Sequence, residues 1–227
     1  MRLVMSMPKK ITRPTKNLKP ILHIYCEGTK TEPNYLNGYL DTFFPTNRRL
    51  LKVIKIEPTE KNTPVQLVSV AMKAQKEFPD GDVFWVVYDR ESEQKYADKF
   101  HATAYDRAES KGIFVALSNV CFEVWLLLHF QDVTAQYNNY DDLRSSSALR
   151  TKCKERKMLD YDKGDMSIFS IFTKGDIELA RRRAKKMNAL TEQSANASQT
   201  KPYQWNPYTD IYKLLDFIDN FAAENLN

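Results

Sequence analysis

The sequence has few cysteines, few glycines and no long apolar run, and each shortage excludes a class of protein. Its three cysteines show no CxxC spacing, so neither a disulfide framework nor a zinc site is expected, and a reducing cytoplasm is the simplest location. Its six glycines form no GxxxxGKS or GxxxxGKT loop, so we do not expect the chain to hydrolyse ATP. The apolar stretch Val124–Phe130 falls far short of the roughly 20 residues of a membrane span. Residues 1–7 lack the apolar region of a signal peptide, so no membrane association is expected.

Positive charge is distributed unevenly over a chain whose net charge is +5. Residues 1–20 carry six basic residues and no acid, and a second basic group occupies residues 181–186 of a predicted helix. Basic clusters bind polyanions by releasing counterions, so nucleic acid is a natural partner. A solvated tail and a solvated helix face are the alternatives. The helix residues predicted to bind nucleic acid are Arg181, Arg182, Arg183 and Lys185.

Apolar runs and helical patterns alternate from residue 21 to residue 131. The runs predict strands at 21–26, 51–57, 83–88 and 113–117. The helical patterns lie at 32–44, 63–78, 93–110 and 121–130. Four consecutive βα units predict an α/β fold in which helices flank a parallel sheet.

The pattern weakens after residue 131. A helix is predicted at 176–190, a polar linker or loop at 191–200, and an amphipathic C-terminal helix from about Ile211 to Phe221. We therefore divide the chain into a basic arm (1–20), an α/β core (21–131) and a mostly helical C-terminal extension packed on that core (132–227).

Acidic side chains stand where the predicted strands end. Glu27 directly follows the first strand, Asp89 and Glu91 follow the third, and Glu123 lies in the first turn of the helix after the fourth. The carboxyl ends of parallel strands meet at one edge of a sheet, where ligands bind, so these acids are expected to cluster. Carboxylates are ligands that Mg²⁺ prefers.

Metal-dependent phosphoryl chemistry is the function that this cluster indicates. Asp89 and Glu91 are the expected metal ligands, and Glu27 is expected either to bind a second metal or to act as general acid or base. Glu123 is a candidate to complete the catalytic group. In the alternative interpretation the first three are solvated turn residues, and Glu123 only favours the start of its helix.

Five segments in this order resemble the RloB family of AbiLii-like proteins. The segments are Tyr25 to Tyr35, Trp85 to Glu91, Ser118 to Phe130, Tyr161 to Lys163 and Asn206 to Asp210. The run from Ser118 to Phe130 is the most specific of them. The resemblance spans about residues 21 to 218, which is nearly the whole chain.

The resemblance implies a Toprim-like fold that binds Mg²⁺ or Mn²⁺. It assigns Glu27 the role of general acid or base and makes Asp89 and Glu91 the metal pair. It also implies a nuclease effector in anti-phage defence that works with an ABC- or SMC-like ATPase partner. The sequence departs from the family pattern at Glu91, where aspartate is common, and at Val120, where proline is frequent. Glu91 keeps the charge but reaches one methylene further, so the metal geometry is expected to differ.

Three functions are weighed on this basis. The first is a metal-dependent endonuclease that cleaves DNA or RNA, including tRNA, under control of the ATPase. The second is a non-catalytic Toprim-like scaffold or nucleic-acid sensor for that ATPase, and the third is a phosphatase or nucleotidyl transferase. The acids and the basic groups favour the first. Lys30, three residues after Glu27, and Lys163 are also predicted to bind nucleic acid. Whether the protein forms a homo-oligomer stays open at this point.

Overall fold

The computed structural model describes residues 19–45, 50–60, 63–78, 81–159 and 161–225. All but the last two positions of the predicted basic arm therefore lie outside the described residues. The strands are β1 Leu22–Cys26, β2 Ile54–Pro58, β3 Val83–Asp89, β4 Phe114–Asn119 and β5 Tyr208–Thr209. The helices are α1 Thr31–Phe43, α2 Leu50–Val53, α3 Pro64–Glu77, α4 Asp98–Glu109, α5 Glu123–Leu128, α6 Tyr140–Ser146, α7 Leu149–Glu155, α8 Lys174–Ser194 and α9 Ile211–Asn225. Two 3₁₀ turns cover Ile168–Ile171 and Pro202–Gln204.

The strands form a sheet in the order β2-β1-β3-β4-β5. The first four are parallel, and β5 pairs antiparallel with β4. β1 and β3 are adjacent although they are not consecutive in the sequence, so the residues that follow them come together at the carboxyl edge. The predicted fold class, a largely parallel sheet flanked by helices with a helical C-terminal part, is confirmed. The Toprim-like character of this fold stays a prediction.

Each central strand is apolar on both faces because helices cover the sheet on both sides. In β3, Trp85 and Val87 belong to one apolar cluster, with α1, α5 and α9, and Phe84 and Val86 belong to a second, with α3 and α4. Side chains alternate between the faces of a strand, which is why one continuous apolar run serves two cores.

Side-chain caps begin two of the long helices. The Thr63 hydroxyl accepts a hydrogen bond from the Gln66 N–H, with Pro64 in the first turn. α8 begins with a reciprocal capping box between Thr173 and Asp176. These caps satisfy N–H groups that a helix start otherwise leaves unpaired.

Four elements differ from the sequence-based expectation. Residues 51–53 complete a helical turn before β2, because a short apolar run does not distinguish a helical turn from a strand. α4 begins at Asp98 rather than at 93, and the Arg90 guanidinium holds the preceding segment as a loop through the Tyr96 carbonyl. The first four residues of the predicted linker at 191–200 continue α8. β5 has two residues, too few for a sequence pattern to reveal.

The C-terminal part contacts the core through apolar packing and through Arg181. Its guanidinium forms ion pairs with Asp216 and Asp219 of α9, both at 2.8 Å, and donates a hydrogen bond to the Tyr39 hydroxyl of α1. One apolar cluster also contains residues of β1, α1, α8 and α9. The boundary placed after residue 131 stays a prediction. Across the parts of the chain that the structure describes, no helix is long and apolar enough to cross a membrane.

We expect the Arg181→Met substitution to lower the free energy of unfolding by about 2 to 3 kcal/mol, because it removes two ion pairs and a hydrogen bond to the Tyr39 hydroxyl, while Asp216 keeps Lys185 and Asp219 keeps the Tyr39 hydroxyl. The cost falls below that of a fully buried pair since Asp216 and Asp219 are each 35% exposed. The neighbouring Arg182→Met is the matched control, because Arg182 is exposed and its replacement should change stability by less than about 0.5 kcal/mol. Urea denaturation compares them; equal midpoints for the two variants would contradict this role of Arg181.

Candidate functional site

Glu27 and Asp89 are neighbours at the carboxyl edge of the sheet, as the order of strands requires. The Glu27 N–H donates to the Val87 carbonyl at 2.9 Å, which extends the β1–β3 pairing by one residue. The Glu27 carboxylate in turn accepts a hydrogen bond from the Asp89 N–H, with Oε2 and N 3.2 Å apart. The structure thus brings together the acids predicted at the ends of the first and third strands.

Glu91 turns out of the strand direction after Asp89. Its backbone is left-handed, with φ of 58°, a conformation that few non-glycine residues adopt. Its N–H donates to the Val120 carbonyl at 2.9 Å, and its carboxylate forms an ion pair with Lys95 at 2.8 Å. Strained backbone of this kind occurs preferentially at functional sites.

Glu123 is completely buried at the start of α5. Its Oε1 accepts a hydrogen bond from the Tyr161 hydroxyl at 3.0 Å. Its Oε2 is buried and has no hydrogen-bond partner among the described residues. The Cys121 thiol, a weak donor, lies nearby: burial raises the pKa of Cys121, and the charge of Glu123 raises it further. A buried carboxylate oxygen without a strong donor is costly, so it favours the approach of a proton or a cation.

The segment 161–164 comes from the second half of the chain and closes over the acids. Lys163 Nζ lies 3.6 Å from Asp89 Oδ2 and also stands over the Tyr140 ring. Gly164 has φ of +89°, and a Cβ there would lie 2.8 Å from the Lys30 side chain, so the tight packing of this segment on Lys30 needs a glycine. Lys163 therefore reaches the acid cluster, and Glu123 is close enough to add to the raised pKa of Asp89.

Glu32 is a site residue that the sequence analysis missed. It is 5% exposed, lies in the first turn of α1 and lines the same cavity as Glu27 and Asp89. A Cβ on Gly28 would come within 2.5 Å of Glu32 Oε2, so glycine at 28 leaves room for this carboxylate. The available signal was its position five residues after Glu27, at the start of the helix that leaves the same edge of the sheet.

Burial raises the pKa of these acids, and repulsion between them adds to the effect. Burial, with added repulsion from Glu32 and Glu91, raises the pKa of Glu27 to about 8. Burial also raises the pKa of Glu32 and of Asp89, and Glu123 and Glu91 add to both effects. Burial disfavours the charged form of Lys163, but attraction from Asp89 and Glu123 outweighs it and raises the Lys163 pKa.

The donor set matches a hard divalent cation in chemistry, since it consists of carboxyl groups, and one buried oxygen of Glu123 has no hydrogen-bond partner among the described residues. Its arrangement is not yet that of a metal site. Throughout the described ranges, no three His, Cys, Asp or Glu side chains are grouped so that they could hold one metal ion. Lys163 lies against Asp89 and Lys95 holds Glu91, so ligation by these two acids requires both lysines to move.

Two cavities meet at Glu91. The acid cleft, of about 370 Å³, is lined by Glu27, Glu32, Asp89 and Glu91 together with Lys30, Lys95 and Lys163. A second cavity of about 550 Å³ lies on the other side of Glu91 and is lined mainly by polar uncharged residues. A ligand that bridges both cavities would pass Glu91.

The basic residues predicted to bind nucleic acid occupy different settings. Lys30 and Lys163 line the acid cleft. Arg181 is buried in its ion pairs, and Arg183 donates to the carbonyls of Leu128 and His129 at 2.8 and 3.1 Å. Lys185 pairs with Asp216 at 3.1 Å but remains 55% exposed, and Arg182 is exposed. The structure places none of these four α8 residues in the lining of either cavity.

Comparison with known proteins gives one match. The family model described as RloB-like protein matches residues 22–218, a range that includes every candidate site residue discussed above. No curated protein and no solved structure matches the chain.

We expect Glu27→Gln to stabilise the protein in EDTA by about 2 kcal/mol at pH 9 and by little at pH 5. The folded state holds the Glu27 proton up to about pH 8, whereas the unfolded state releases it near pH 4.5, so the wild type loses stability as pH rises through this window. Glutamine removes that loss. Urea denaturation at both pH values tests this, with Glu93→Gln in the exposed turn beside the site as control. A pH-independent difference between Glu27→Gln and wild type would contradict the raised pKa.

Proposed function

The chain belongs to the RloB-like family, and we propose that it is a metal-dependent nuclease that cleaves phosphodiester bonds of DNA or RNA, including tRNA. We further propose that it serves anti-phage defence under control of an ABC- or SMC-like ATPase partner. The observation that carries the nuclease proposal is the presence of Glu27, Glu32 and Asp89 in one cleft that also contains Lys163, with the buried Glu123 close enough to add to the raised pKa of Asp89. Few purposes other than cation binding or proton transfer justify the cost of placing so many acids together.

Asp89 and Glu91 are the proposed ligands for Mg²⁺ or Mn²⁺, and Glu27, Glu32 and Glu123 are further carboxylates within the same group. When bound, the metal would polarise the scissile phosphate and lower the pKa of a water molecule. Movement of Lys163 and Lys95 away from Asp89 and Glu91 would free these carboxylates. Both lysines would then be available to pair with phosphate oxygens of the substrate.

Glu27 is the proposed proton-transfer group. Its pKa of about 8 in the metal-free protein keeps it able to hold and to release a proton near neutral pH, which a carboxylate with an ordinary pKa cannot do well. Its hydrogen bond from the Asp89 N–H holds Oε2 at the strand edge. This bond orients Glu27 beside the proposed metal pair.

Lys30 and Lys163 are the proposed phosphate contacts. Both line the acid cleft, and the ammonium group of Lys163 is already drawn to Asp89. Within α8, the exposed Arg182 and Lys185 remain proposed contacts for nucleic acid or for the partner. Arg181 and Arg183 are engaged within the protein, so their contribution would be structural.

A non-catalytic scaffold or nucleic-acid sensor for the ATPase is the second candidate. One observation favours it: the absence, among the residues described, of three ligands already grouped for a metal. Metal binding separates the two candidates, because a scaffold needs no metal in the acid cleft.

We expect the wild type to bind Mn²⁺ and Asp89→Asn to bind it at least about tenfold more weakly, since a neutral amide replaces a charged ligand. Lys163→Met should bind Mn²⁺ more tightly than the wild type because a competing positive charge is gone. Isothermal titration calorimetry measures all three, and Lys99→Met on the exposed side of α4 is the control for charge alone. If the wild type bound no Mn²⁺, the scaffold would be favoured.

We expect Mg²⁺- or Mn²⁺-dependent cleavage of total cellular RNA or plasmid DNA when the ATPase neighbour is present, and none in EDTA. Glu27→Gln and Asp89→Asn should each reduce the rate by at least about 100-fold, because each removes a group on which the chemistry depends. Glu109→Gln, at an exposed position of α4 outside both cavities, should cleave like the wild type. Gel electrophoresis of both substrates identifies the nucleic acid that is cut. Undiminished cleavage by both site variants would refute the assignment of the acids.

A further inference from the structure

The second cavity, which we call the amide cavity, has a wall of unusual composition. Seven of its fourteen lining residues carry a carboxamide, and Tyr137 and Tyr203 are also among them. The amides come from separate parts of the chain, including Asn119 at the end of β4, Asn138 in the loop after α5, and Asn206 before β5. Its volume of about 550 Å³ lies within the range of small-molecule sites.

Internal pairs neutralise much of the charge on this wall. Arg90 forms an ion pair with Asp98 at 2.6 Å, and Glu91 forms one with Lys95 at 2.8 Å. The surface left for a ligand is therefore dominated by neutral donors and acceptors. Such a surface suits an uncharged polar group, whereas a phosphate needs the cations of the adjoining acid cleft.

Six of the seven amides make hydrogen bonds within the protein that orient them, and Asn119 and Asn206 link separate segments in this way. Asn119 Nδ2 donates to the carbonyls of Tyr203 and Trp205 at 3.3 and 2.7 Å, which holds the segment 203–206 against the end of β4. Asn206 Nδ2 donates to the Tyr137 carbonyl at 2.8 Å. This bond fixes which end of the Asn206 amide is the acceptor.

Asn206 lines the amide cavity and two smaller cavities beside it, and the described part of the fold does not use its Oδ1 as an acceptor. This oxygen is buried and has no hydrogen-bond partner in the part of the chain that the structure describes. A buried acceptor needs a donor, and an N–H on a ligand in the amide cavity would supply one by displacing the atoms that cover Oδ1.

We propose that the amide cavity binds a nucleobase of the substrate next to the phosphate held in the acid cleft. Carboxamides match the donors and acceptors on base edges. The base must be unpaired, because a base in a duplex does not expose both its edge and its faces. The substrate class is then a single strand, a loop or an extruded nucleotide. The position of the phosphate rests on the proposed nuclease function, but base binding does not.

Binding of the full-length protein in EDTA tests this proposal without cleavage. The probes are fluorescein-labelled single-stranded pentanucleotides in ribose and deoxyribose form, an abasic pentamer with the same phosphates, and a blunt duplex. We expect fluorescence anisotropy to show at least about tenfold tighter binding of the single strands than of the abasic pentamer or the duplex. The ribose and deoxyribose probes show which sugar is preferred. Equal affinity for the abasic and base-containing probes would overturn the proposal, whatever the variants do.

Asn206→Ala tests the acceptor directly. We expect it to weaken single-strand binding about tenfold and to leave binding of the abasic pentamer unchanged. Gln193→Ala, at an exposed position of α8 outside this cavity, is the control for loss of an amide. Unfolding midpoints verify that the variants are folded. An Asn206→Ala protein that is folded and binds single strands like the wild type would overturn the assignment.

The same data distinguish this inference from the proposed function. Base-dependent binding without metal-dependent cleavage would support the base site in the amide cavity and contradict the nuclease function. Cleavage together with equal affinity for abasic and base-containing probes would support the nuclease function and contradict the base site.

Discussion

The electrostatic cost of burying several carboxylates at one edge of the sheet is the constraint on which the rest of this structure depends. Repulsion and lost hydration raise the pKa of Glu27, Glu32 and Asp89 together. The fold compensates in part by placing Lys163 against Asp89 and the Tyr161 hydroxyl against Glu123. Both come from one segment, 161–164, which packs on the start of α1 through Gly164. A segment of the second half of the chain thus compensates the carboxylates of the first half.

The sequence was sufficient to predict the four parallel strands of the sheet and the meeting of Glu27 and Asp89 at its edge. Alternating apolar runs and helical patterns implied parallel strands, and parallel strands bring their carboxyl ends to one edge. Glu27 and Asp89 therefore had to be neighbours if β1 and β3 were adjacent, as they are. Glu32 was overlooked because an acid in the first turn of a helix has an ordinary explanation in the helix dipole.

Long-range packing determines the burial of Arg181 and the position of Lys163, which local sequence patterns do not reveal. Arg181 and Arg182 are identical in type and adjacent in sequence, yet one is buried between three helices and the other is exposed. The difference depends on where α9 places Asp216 and Asp219. The distance of Lys163 from the acids was equally hidden, because it depends on a loop more than 70 residues away from Asp89 in the sequence. The amide cavity combines loops that share no local pattern.

The dependence of the acids on segment 161–164 also bears on how the protein is made. A ribosome releases Glu27, Glu32 and Asp89 long before Tyr161 and Lys163, and before β5 and α9 cover the far edge of the sheet. A nascent chain therefore holds a group of mutually repelling carboxylates whose compensating partners do not yet exist. Folding of the first half alone would bury these carboxylates without their partners, which is unfavourable. For a proposed nuclease, this order of synthesis means that no incomplete nascent chain contains the whole acid cleft.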